Sequence, residues 1–177
     1  MAGNFQAGAK RSRLHHLARR VAVVAQPEQG ERRLQATAAC NLALTLESLG
    51  EPDAAAPRHA EAVAAAAALG DRRLHAQLLG YQALLMARRS EAAAATTAFA
   101  AALAGLQDAG DPAALGLLQA QRAEALLVMG DTAAATAAAA DASSLLAPLA
   151  LDARAEPMQA LARANAAIAA CVEGRRR

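Results

Sequence analysis

Apolar residues recur three and four positions apart along much of the chain, the spacing of a helix that buries one face. Leu14, Leu17, Val21 and Val24 show it near the start, and Met158, Leu161, Ile168 and Val172 near the end. The pattern is punctuated at regular intervals. Gly30, Gly70 and Gly110 stand forty residues apart, each followed by an acid: Glu31, Asp71 and Asp111. Halfway between stand Gly50 and Gly130, with Ser90 in the matching place, followed by Glu51, Asp131 and Glu91. Glycine suits the left-handed residue that closes a helix, and an acid suits the positive end of the next. The punctuation predicts eight helices, over about 10–26, 31–49, 52–69, 71–88, 91–109, 112–129, 132–150 and 153–173. Short loops between them force antiparallel neighbours. Pro27 is expected to end the first helix, while Pro52, Pro112 and Pro157 fit first turns. Pro57 should kink or delay its helix, and Pro148 should fray the end of the seventh.

The segments 31–70, 71–110 and 111–150 superpose without gaps. Ala43, Ala83 and Ala123 share a column, as do Ala55, Ala95 and Ala135, and Ala62, Ala102 and Ala142. Larger residues share another: Leu46, Met86 and Leu126. Small beside large at fixed offsets lets two helices approach closely and interlock.

On these residues the chain resembles the tetratricopeptide repeat family, in a long bacterial variant. The first unit offers Leu42-Ala43 and Leu46, then Ala55 and His59; the second Ala83 and Met86, then Ala95 and Phe99; the third Ala123 and Leu126, then Ala135 and Ala139. It departs from the family in its period, forty against about 34, and in lacking the family proline and the aromatic that opens the pattern. The resemblance implies an all-α, right-handed α-solenoid of antiparallel hairpins that binds a peptide in its concave groove. In such arrays the first helix of each pair lines that groove. Here those helices would project Asn41, Tyr81 and Gln121, then Leu44, Leu84 and Glu124, with Glu47 and Arg88 beside them. The lysine-rich carboxylate clamp of some co-chaperone relatives has no counterpart, because Lys10 is the only lysine. Helices 10–26 and 153–173 flank the three whole units. They read either as caps on a repeat domain spanning 10–174, or as the cut ends of a repeat region from a larger signalling protein or transcription regulator. Residues 1–9 are expected to be disordered and 175–177 to form a basic tail.

Composition agrees with an all-helical chain. Alanine supplies 57 of 177 residues and leucine 25, against 2% aromatics, and alanine and leucine are strong helix formers. The formal charge of +2 conceals an acidic body between basic ends. Residues 28–174 hold ten arginines against sixteen acids, a net of −6. Lys10, Arg11, Arg13, Arg19 and Arg20 precede them, and Arg175 to Arg177 follow. The basic first helix could meet phosphates, but few aromatics are present to stack bases, so nucleic-acid binding is disfavoured. The longest uncharged stretch, 92–107, falls short of the roughly 18 apolar residues of a membrane span. Arginine-for-lysine usage and the alanine excess suggest a bacterial source, and free cysteines suit the cytoplasm.

Catalytic constellations are not apparent. The phosphate-binding and nucleophile-elbow motifs do not occur, and the acids are scattered singly. His15 and His16 read as surface residues, His59 as a packed histidine in the Phe99 column, and His75 as a surface or groove residue. Cys40 and Cys171 lie outside any metal-ligand spacing and read as small hydrophobes. The expectation is therefore a non-enzymatic interaction scaffold without cofactor or metal. The alternative is a sensory repeat domain for a small ligand. Ile168 and Val172 lie on a flank of the last helix that is expected to stay partly exposed or to pair with a second copy.

Overall fold

The computed structural model describes residues 28–175. Those residues form seven helices and no strand. α1 runs over 28–48, followed by α2 (Pro52–Ala68), α3 (Arg72–Arg88), α4 (Ala92–Ala109), α5 (Pro112–Val128), α6 (Thr132–Leu146) and α7 (Glu156–Arg175). A 3-10 turn at Ala147–Leu149 follows α6. The expected helix over 10–26, the segment 1–9 and the end of the basic tail lie outside the described residues.

The punctuation places the helix ends. Gly50, Gly70, Gly110 and Gly130 all sit between helices with φ of +63 to +88°, and Ser90 takes the same left-handed conformation at +65°. Asp71, Asp111 and Asp131 then cap α3, α5 and α6, each accepting a hydrogen bond from the backbone N–H three residues on. Gly30 departs from the expectation: α1 is already helical at residue 28, so this glycine lies inside it. Pro57 is carried within α2, which runs unbroken from Pro52. Pro148 shortens α6 as expected, because its ring cannot continue the i→i−4 ladder. α7 begins at Glu156 rather than 153, since the Asp152 carboxylate accepts from Arg154 N–H at 2.7 Å and holds a turn there.

The alanine columns form the core. Ala43, Ala83 and Ala123 are fully buried, as are Ala55, Ala95 and Ala135, and Ala62, Ala102 and Ala142. Without long side chains between them the helices approach closely, and in places only glycine fits. A Cβ on Gly116 would stand 2.5 Å from Leu146 Cγ. Within the hairpins, α3 packs on α4 and α5 on α6. Between hairpins, α2 packs on α3, α4 on α5 and α6 on α7. The odd-numbered helices also touch in sequence: α3 lies against α5, and α5 against α7. α1 joins them through a core shared by Ala36, Cys40, Leu74 and Leu78.

Candidate functional site

Because the odd helices adjoin, residues about forty apart come side by side. Leu44 and Glu47 of α1, Tyr81, Leu84 and Arg88 of α3, and Gln121 of α5 line one depression of about 430 Å³. Ser48, Leu117, and Glu156 and Arg163 of α7 complete its wall. A smaller depression of about 220 Å³ adjoins it, sharing Leu44, Tyr81, Leu117 and Glu156, and Asn41 lines that one. Seven of the eight residues expected in the groove thus line two adjoining depressions, and the eighth, Glu124, forms ion pairs at their edge.

The side chains differ in what they can offer. Asn41 is exposed, Leu44 and Tyr81 are half-buried, and Leu84 and Gln121 are buried. Gln121 lies against α3, where its Oε1 would stand 2.9 Å from a Cβ on Gly80. Tyr81 donates its hydroxyl to the Glu156 carboxylate, tying α3 to the first turn of α7. Burial and then that hydrogen bond and charge push the phenol's pKa well above its ordinary range, so the hydroxyl keeps its proton. Cys40, on the wall of the smaller depression, is pushed up to about 12 by burial and then by the charges of Glu156 and Glu47.

The charged residues satisfy one another. Glu47 accepts from Arg88 at 2.7 Å and pairs with His59 Nε2 at 2.8 Å. Arg88 reaches Glu124 at 3.2 Å, and Glu124 meets Arg163 at 3.4 Å. An alternating row of charge therefore crosses α1, α3, α5 and α7. The carboxylates are largely withdrawn from water, at 10% exposure for Glu47 and 13% for Glu124, while Arg88 keeps 44%. His59 is fully buried as expected of a packed histidine, and its Nδ1 has no partner.

Glu156, Arg163 and Leu117 were not singled out from sequence. Arg163 stands 39 residues after Glu124, close to the repeat distance, which is the signal that could have found it. His75 is half-buried in a separate cleft of about 400 Å³ between α2, α3 and α4. Ile168 and Val172 are half-buried, Ile168 against the core of α5, α6 and α7. Among the described residues no three His, Cys, Asp or Glu side chains group as metal ligands, and no helix is long and apolar enough to cross a membrane. No family model matches the chain, and no curated protein or solved structure is significantly similar to it.

Proposed function

We propose that this chain is a non-catalytic interaction module, a right-handed α-solenoid similar to the tetratricopeptide repeats, which binds an extended segment of a partner protein along its odd-numbered helices. The observation that carries the reading is the convergence of Leu44, Tyr81, Leu84 and Gln121 from three successive repeats on one depression. Glu47, Arg88 and Arg163 are held in ion pairs and Glu156 accepts the Tyr81 hydroxyl, so the surface left for a ligand is largely apolar with amide and hydroxyl edges. Such a surface suits a peptide whose backbone needs hydrogen bonds and whose side chains are apolar. The setting is a bacterial cytoplasm, with a regulatory role.

Selection from a random peptide library tests this. Leu44→Arg puts a charge on the wall without touching the buried alanine columns. It should weaken the selected peptides at least about tenfold while helix content and melting temperature hold, as expected of a residue central to an interface. Undiminished binding to Leu44→Arg, or no peptide selected above background, would remove the reading.

A second reading is favoured by the size of the depression, about 430 Å³, within the range of small-molecule sites. A sensory domain would retain a small ligand on purification, visible by native mass spectrometry and lost in Leu84→Arg. Self-association through α7 belongs to the proposal as well, since Ile168 and Val172 keep part of their surface in water. Light scattering that finds a strict monomer at high concentration would exclude it.

A further inference from the structure

Leu44, Tyr81, Leu117 and Glu156 line both depressions, so they form the seam between the two. Leucine and the tyrosine ring offer apolar surface there. Glu156 brings a charge, and its situation differs from that of the other acids at the site. Glu47 is held by Arg88 and His59, and Glu124 by Arg88 and Arg163. Those two carboxylates and two guanidiniums carry no net charge between them. Glu156 is exposed, accepts the Tyr81 hydroxyl on Oε1 and, among the described residues, pairs with no cation. One negative charge at the seam is left without a counter-ion.

The field of that charge reaches across the smaller depression. After burial, Glu156 is the strongest influence holding the Cys40 thiol protonated, ahead of Glu47. At Tyr81, Glu156 raises the phenol's pKa by more than Arg163 lowers it. The wider surface has the same sign, since residues 28–174 carry a net −6. An acid in the first turn also suits the start of α7 for the helix's own sake, but that role needs no apolar surroundings.

We propose that the partner segment carries a lysine or arginine flanked by apolar residues, and that this side chain lies along the seam with its cation on Glu156. The inference rests on the peptide-binding reading above and adds a charge preference to it. The aliphatic stem of the basic residue covers Leu44 and Leu117 while its head stays at the wet edge. The flanking apolar side chains enter the depressions on either side. Charge complementarity selects this occupant. An acidic segment would set like charge against Glu156, and a wholly apolar one would cover the carboxylate without a counter-ion, which costs free energy.

Peptides selected from a random library on the full chain should be enriched in a lysine or arginine between apolar residues. Replacing that residue by glutamine in a selected peptide should weaken binding about fivefold, the upper end for an ion pair with one side in water. High salt should shrink the difference. Glu156→Gln keeps an acceptor for the Tyr81 hydroxyl, so it should bind the two peptides alike at unchanged melting temperature. Tyr81→Phe removes the tether to α7 and leaves the charge, so there the difference should persist. Selected peptides that lack the basic residue would overturn this inference and leave the peptide-binding reading standing, whereas no selected peptide removes both. A basic preference that survives Glu156→Gln would overturn it. So would a preference lost in Tyr81→Phe, which makes Glu156 a tether alone. Self-association of the parent chain that Glu156→Gln abolishes would overturn it too, since a basic end of a second copy would then be the occupant.

Discussion

Cys40 shows how a single side chain couples the interior to pH. Its thiol ionises near 9.0 in an open chain but only near 12 in the fold, because burial, and then Glu156 and Glu47, oppose the thiolate. Above pH 9 the unfolded chain holds fewer protons than the native one, so stability is full below that pH and falls as pH rises toward 12. Tyr81 acts in the same direction at higher pH. Denaturant midpoints measured across that window should decline, and Cys40→Ala should flatten the decline. At neutral pH an alkylating reagent should modify half-buried Cys171 before Cys40. The mid-helix glycines are the other sensitive residues. Gly116→Ala drives a Cβ onto the branch point of Leu146, an overpacking expected to cost about 1–3 kcal/mol in urea unfolding. Gly80→Ala should cost less, since its nearest atoms are the side-chain ends of Leu118 and Gln121, which can move.

At the scale of elements, the helix ends were legible because they depend on local backbone chemistry. A left-handed residue followed by a capping acid is written in the sequence, and Gly50, Gly70, Gly110 and Gly130 adopt it. Ser90 occupies the same conformation with a side chain that disfavours it. Ser90→Gly should therefore raise stability by about 0.5–1 kcal/mol, read as a shift in melting temperature with unchanged cooperativity. Gly30 misled because it fits the forty-residue register without ending a helix; Pro27, three residues earlier, is the stronger stop signal. The late start of α7 was hidden for a similar reason, since the Asp152 turn is an arrangement of one carboxylate that periodicity does not register.

For the whole molecule, the alanine columns predicted the buried core directly, because each column sets a small residue where neighbouring helices pack closely. The members of the candidate site on α1, α3 and α5 followed from the same register. The contribution of α7 did not. Glu156 reaches Tyr81 across 75 residues, an offset that is no multiple of forty and that no column displays. One pair of contacts does repeat: Arg33 bonds Asp71 and Arg73 bonds Asp111, each arginine near the start of an odd helix holding the acid that caps the next odd helix. The middle unit, 71–110, thus carries both the hook and the eye of the fastening, Arg73 toward one neighbour and Asp71 toward the other. Copy number is then a free variable of the gene. A chain with residues 71–110 written twice would fasten the inserted block at both ends without a new interface, and should fold with the same helical fraction and a higher melting temperature. Loss of cooperative unfolding in that longer chain would mean the fastening depends on its particular ends, and that the protein's length is fixed after all.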